Sequence, residues 1–218
     1  MGIYEEIASN QRRTFLLIFF FFGLVISLGL VLGLVYGNSY FGIGLAVVIG
    51  ILYFLFSWYG GANAILTMVH AKEATKPEYT HLINTVEGLA IAAGLPKPLK
   101  VYVIEDSALN AFATGRDPQH ASVTVTTGLL KKMNRLELEG VIAHEMSHIK
   151  NYDIRVMMLA AVMVGLTVLL SDFILRSFWI GAHGRRREGN QLGLLLVVVG
   201  IVLAILAPLI GELIKVSI

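Results

Sequence analysis

From Thr14 through Ala71 the chain carries no Asp, Glu, Lys or Arg. A helix crosses the hydrocarbon core with about 20 residues, so this run is long enough for two crossings. Its one polar break, Tyr36-Gly37-Asn38-Ser39-Tyr40, reads as a tight turn flanked by interfacial tyrosines. The pattern predicts membrane spans over 15–36 and 41–62, after a polar N-terminus at 1–14. Apolarity returns at Val156–Leu175 and at Leu192–Leu209, predicting a third span over 156–175 and a fourth over 192–214. The third is the weaker signal, because its uncharged core is short and Asp172 stands near its end. The opening apolar run is too long for a cleaved signal peptide, and no small-residue cleavage site leads into a polar chain.

Residues 72–155 differ in kind. They hold ten basic and ten acidic residues, as a water-facing region does. At 84 residues the region is near the lower limit for an independent core, so it is expected to lean on the membrane or on further chain. Leu82, Val86, Leu89, Ala90 and Ala93 recur at helical spacing, predicting a helix over 81–93 that stops at Gly94 and Pro96. Val101 to Ile104 predict a strand over 100–105. Ser122–Thr127 alternates Val and Thr as a half-buried strand does, whereas Asn110–Gly115 reads only as an edge strand and turn. Asn134 is a good N-cap, and Glu137 three residues on completes a capping-box pattern, so a further helix is expected to open there and run to about Asn151. The expected order is helix, strand, strand, helix, beside a membrane bundle.

Composition agrees with the pattern. The chain is 56% hydrophobic and 15% charged, with a mean hydropathy of +0.74, where soluble chains carry about a quarter charged residues. That places it among integral membrane proteins. The absence of cysteine excludes a disulfide scaffold, a thiolate nucleophile and Cys-ligated zinc. A net charge of +2 gives no footprint for nucleic acid. Arg12 and Arg13 precede the first span, and Lys72 and Lys76 follow the second, which puts the N-terminus and the 72–155 region in the cytoplasm. Arg176, Arg185, Arg186 and Arg187 argue the other way for the later loop, and the first helices are expected to dominate.

The chemistry lies in His144-Glu145-Met146-Ser147-His148, within the last predicted helix. Two histidines at i and i+4 share a helical face and can bring both imidazoles to one Zn²⁺. Glu145 is adjacent and can reach a water on the metal without ligating it, accept that water's proton as it attacks a peptide carbonyl, and return it to the leaving amine. This is the HExxH arrangement of metalloproteases. The bland alternative is two polar helix residues with no ligand between them. His70, His81, His120 and His183 read as interfacial or surface residues, Met146 and Ser147 as filler. Asn151 and Asp153 either end the helix or support a ligand from behind. Beside such a helix, Asn110–Gly115 followed by Ser122–Gly128 reads either as a strand onto which an extended substrate adds by main-chain hydrogen bonds or as an ordinary hairpin packing the helix.

The paired N-terminal spans, Asn110–Gly115, Val123–Leu130, His144–His148 and two later spans together resemble the HtpX branch of the M48 metalloproteases, over essentially the whole chain. The resemblance implies a multi-pass α-helical membrane protein with a small α+β zinc-metalloprotease domain of the HExxH, gluzincin-like type. It implies a bacterial or archaeal endopeptidase of the cytoplasmic (inner) membrane that cleaves misfolded or damaged membrane proteins in envelope stress, working in the lipid bilayer and leaving room for a homo-oligomer. His144 and His148 would be zinc ligands, Glu145 the catalytic base, and Asn110, Ala111 and Phe112 would lie on the substrate-binding strand. The family's third ligand is a glutamate in a Glu-x-x-x-Asp pattern after the fourth span. Only Glu188 and Glu212 follow the histidines, neither in that pattern, so the resemblance implies that the catalytic domain is incomplete within these 218 residues.

Two other readings compete. A prenyl-protein processing peptidase of another M48 branch would need more spans than four. A non-catalytic membrane scaffold would use Arg185–Arg187 against lipid headgroups or a partner, and the intact Glu145 speaks against it.

Overall fold

The computed structural model describes residues 3–35, 37–96, 99–161, 163–165 and 168. The charge-free run folds as two helices, α1 (Ile3–Val35) and α2 (Ser39–Met68), both long and apolar enough to cross a membrane. Helix α1 starts well before residue 15, because the polar N-terminus is helical too; Glu5 and Glu6 in its first turn suit the positive end of the helix dipole. The turn falls where the polar break places it. Gly37 takes φ +81°, and Asn38 Oδ1 accepts the Phe41 N–H at 3.0 Å to cap α2. Large apolar side chains such as Phe19 (64% exposed) and Phe56 (66%) face outward, as lipid rather than water requires. Residues 153–161 are helical. The rest of the predicted span 156–175, apart from residues 163–165 and 168, and the whole of 192–214 lie outside the described residues, as do His183, Arg185–Arg187, Glu188 and Glu212.

The chain divides into two units, one holding α1 up to Phe15 together with Phe56–Met158, the other Leu16–Leu55 with the described residues from Leu159 on. In the second unit α1 and α2 pack antiparallel, one contact per turn. Phe21 lies against Tyr53 and Phe54, Val25 against Gly50, Gly29 against Ala46, and Gly33 against Gly42. Small residues near the turn let the backbones approach closely, the means by which helices associate where lipid removes the hydrophobic drive. A Cβ at Gly42 would lie 2.5 Å from Gly33 Cα and collide with the Gly29 carbonyl.

The first unit is built on a four-stranded sheet of order β1-β2-β4-β3, from β1 (Lys72–Glu73), β2 (Lys100–Ile104), β3 (Ala111–Gly115) and β4 (Ala121–Thr126). β2 and β4 run parallel, and β1 and β3 flank them antiparallel. Three helices join it: α3 (Thr80–Ala93), the short α4 (Thr127–Lys132) and α5 (Arg135–Lys150). Leu82, Val86 and Ala90 of α3 and Leu138, Ile142, Met146 and Ile149 of α5 form one core with Val101, Val103, Val123 and Val125 of the sheet. Fully burying side chains of this size stabilises by about 1.5–3 kcal/mol each. Helix α3 ends at Gly94, φ +69°, and α5 opens with the reciprocal bonds of a capping box: Asn134 Oδ1 accepts from the Glu137 N–H, and Glu137 Oε2 from the Asn134 N–H.

Three expectations need correction. The order is not helix, strand, strand, helix, because β3 is a full strand and the two-residue β1 joins the opposite edge. Helix α4 was not foreseen; its Gly128 and paired lysines mask a short helix capped by Thr126. Strand β4 is not half-buried, since all six of its residues are buried. It is central, and two of its three polar side chains, those of Ser122 and Thr126, serve hydrogen bonds rather than solvent. Ser122 pairs with the Thr114 hydroxyl at 2.9 Å, and Thr126 Oγ1 donates to Ala108 O at 2.6 Å and accepts the Asn110 N–H at 3.1 Å. Among the described residues, only Thr124 Oγ1 is a buried side-chain polar atom without a partner.

The β3–β4 connection is held from within. Gly115 has φ +146°, and a Cβ there would meet His120 O at 2.5 Å, so glycine alone fits. Asp117 then caps a 3-10 turn at Pro118–His120, accepting the His120 N–H at 2.9 Å and contacting its ring Nδ1 at 2.7 Å. Burial pushes the Asp117 carboxyl up, but His120 and the Arg116 guanidinium outweigh it and hold the group below its usual range.

Two outcomes follow. Gly42→Leu is expected to destabilise the α1–α2 hairpin by about 1–3 kcal/mol, while Gly44→Leu, where a Cβ meets nothing within 4 Å, leaves it unchanged; thermal melts in detergent compare them. A carboxyl held low in the folded state adds stability that is present above its unfolded pKa of about 3.9 and lost as pH falls through the folded one. Asp117→Asn should therefore lower the melting temperature near pH 7 and shrink the further loss on acidification below about pH 4, as pH-dependent calorimetry would record.

Candidate active site

The rotation of α5 about its own axis is fixed by the stripe it buries. With Ile142, Met146 and Ile149 turned into the core, His144 is exposed, and Glu145 and His148 are half-buried on the flank toward β3. The Nε2 atoms of His144 and His148 lie 3.3 Å apart, with ring centroids at 4.8 Å and planes at 82°. Two nitrogens held about 2.05 Å from a tetrahedral centre are separated by about 3.3 Å, so the pair has the spacing of two zinc ligands. Behind His148, Asp153 Oδ2 lies 2.9 Å from Nδ1. A carboxylate only accepts, so Nδ1 donates to it, and in the neutral ring the lone pair then falls on Nε2, the tautomer a metal ligand needs. Of Asn151 and Asp153, Asn151 takes the helix end and Asp153 the position behind His148.

Among the described residues no group of three His, Cys, Asp or Glu side chains lies close enough to hold a metal ion. The two imidazoles are thus the donors present, and both fit zinc in element and spacing. Glu145 stands beside them. Its Oε2 accepts the Ala113 N–H at 3.1 Å. Burial pushes its carboxyl above the usual range, against the pull of the His148 and His144 rings and of that N–H. A carboxyl shifted toward neutrality is suited to take a proton and pass it on. A cation between the imidazoles would draw it back down.

Strand β3 ends the sheet. Thr126 N–H donates to Asn110 O at 3.0 Å, and the register pairs Phe112 with Thr124. Antiparallel strands alternate, so the main chains of Asn110 and Phe112 are spent on β4, while those of Ala111, Ala113 and Gly115 point away from it along the sheet's edge. Of the three residues expected to bind substrate, Ala111 alone offers its backbone to an added strand; Asn110 and Phe112 can contribute only side chains. Ala113, which sequence reasoning passed over, sits where that edge meets Glu145. No residue pattern could have marked it, because its part is played by a backbone N–H.

The other residues singled out are accounted for. Met146 is core, 2% exposed. Ser147 Oγ donates to the His144 carbonyl at 2.6 Å, one turn back. His70, His81 and His120 are exposed.

The family model of Peptidase family M48 matches residues 77–216, which takes in α3, α4, α5 and every strand but β1. Proteins named Protease HtpX homolog from Dictyoglomus turgidum and Dictyoglomus thermophilum are 45% and 47% identical over 217 residues, covering 97% of this chain and 68% of each relative. One of the same name from Listeria monocytogenes serotype 4a is 41% identical over 223 residues, covering 98% of this chain and 73% of the relative.

Proposed function

The chain belongs to peptidase family M48, and from that premise we propose that it is a zinc-dependent endopeptidase of the bacterial or archaeal cytoplasmic membrane, acting on misfolded or damaged membrane proteins. The observation that carries the reading is the pair of Nε2 atoms 3.3 Å apart, one ring oriented by Asp153, with the Glu145 carboxyl beside them and tied to an edge strand. His144 and His148 hold the metal. Zinc, when bound, supplies Lewis acidity that acidifies a water and polarises a peptide carbonyl.

The chain's own groups do the rest. Strand β3 aligns an extended substrate segment through Ala111 and the neighbouring edge groups, adding it to the sheet as a further strand. Glu145 is held at Oε2 by Ala113, which leaves Oε1 to take the proton of the attacking water and deliver it to the leaving amine. One N–H therefore fixes the base relative to the strand that fixes the substrate. Two apolar helices, α1 and α2, support a membrane setting for the work.

Glu145→Gln keeps the size and the acceptor for Ala113 but removes the base. In the intact protein it is expected to lower cleavage of an unfolded membrane-protein reporter by about 10²–10⁴-fold, with zinc content by elemental analysis unchanged. Cleavage at the parent rate would remove Glu145 from the mechanism. Zinc content unaffected by His148→Ala would remove the metal pair.

A further inference from the structure

Helix α1 reaches the metal pair through its own first turns. Asn10 is 5% exposed, a buried amide on an otherwise polar segment. Its Nδ2 donates twice, to Asn151 O at 3.0 Å and to Asp153 Oδ1. Those two bonds use both amide hydrogens. Asp153 in turn spends its other oxygen on His148 Nδ1. One turn earlier, Glu6 Oε2 accepts the Asn151 Nδ2 hydrogen at 2.9 Å; one turn later, Thr14 Oγ1 donates to Asn10 O at 2.8 Å. Residues 6, 10 and 14 share one face of α1, so these bonds form a single polar stripe clasping the exit of α5.

That exit needs clasping. Tyr152 takes φ +64°, a left-handed conformation that a bulky side chain adopts only where its surroundings hold it. Asn151 precedes it and Asp153 follows it. Asn10 grips the backbone on one side of Tyr152 and the carboxylate on the other, and the Arg155 guanidinium covers the Tyr152 ring at 4.7 Å.

We propose that Asn10 is a positioning residue of the metal centre: by holding both Asn151 and Asp153 it fixes the carboxylate that orients His148, so the first turns of α1 are part of what makes the site bind metal. This rests on the reading of His144 and His148 as the metal pair. Without Asn10, Asp153 loses its second partner and can rotate off Nδ1, and the Asn151 carbonyl loses a donor. The ring of His148 is then free to turn its lone pair away from His144. Removing the group behind a ligating histidine weakens metal binding by about 10–100-fold.

The test is chelator competition for zinc on the intact protein in detergent, with thermal melts alongside. Asn10→Ala is expected to weaken zinc binding at least about 10-fold, and Asn10→Ser, which keeps a small polar group but cannot reach Asp153, to do the same if the alanine variant folds poorly. In an Asp153→Asn background the Asn10 substitution should add nothing further to the loss of affinity. A lowered melting temperature with parental zinc affinity would make Asn10 a purely structural residue, and additive losses in the double variant would show that it does not act through Asp153; either overturns the proposal. If His148→Ala also leaves affinity unchanged, the metal pair itself is wrong, a failure the Asn10 variants alone do not produce.

Discussion

Ile142, Met146 and Ile149 are at most 2% exposed, and the burial of that stripe against the sheet governs the rest of the molecule's chemistry. A helix can satisfy its backbone bonds at any rotation about its axis; only the apolar face chooses one. Once α5 is turned to bury those three side chains in the core, the positions of His144, Glu145 and His148 are no longer independent choices. The imidazoles converge because they are four residues apart on one face, and the carboxyl reaches β3 because that strand lies beside the buried face. Opening a cavity at Ile142 would therefore disturb the site as well as the core, although Ile142 touches no reacting group.

The electrostatics of the site is a balance between burial and partners. Glu145 is pushed up by burial and pulled down by two rings and one N–H, and burial wins. Asp117, in the β3–β4 turn, has the same kinds of influence, and there the partners win. The difference lies in what faces each group. Asp117 contacts a histidine ring at 2.7 Å and has a guanidinium at 3.5 Å, whereas Glu145 accepts one neutral donor at 3.1 Å. One carboxyl is thereby held below its ordinary range and the other above it.

What could be read in the sequence was whatever is written locally. The turn at Gly37-Asn38, the capping box at Asn134 and the i, i+4 histidines each depend on residues within one or two turns, and each stands where its spacing placed it. The burial of both faces of β4 could not be read, because alternating Val and Thr looks the same whether the threonines meet water or the Ala108 carbonyl. The edge groups of β3 escaped for another reason: a main-chain N–H carries no residue letter. Asn10 is the extreme case, a single amide whose partner lies 143 residues away in sequence, so that only the folded chain brings them together.

If substrate docks along the outer edge of β3, as proposed, that edge also sets selectivity. Main-chain hydrogen bonding is blind to side-chain identity, so a polypeptide docked there is judged first by whether it has unpaired N–H and C=O groups to offer. A folded helix or sheet has already spent them. If it is used in that way, as proposed, the strand edge would work as a gauge of unfoldedness: it would admit a segment because the segment has lost its own structure, and the recognition code would be an absence of internal bonds rather than a sequence.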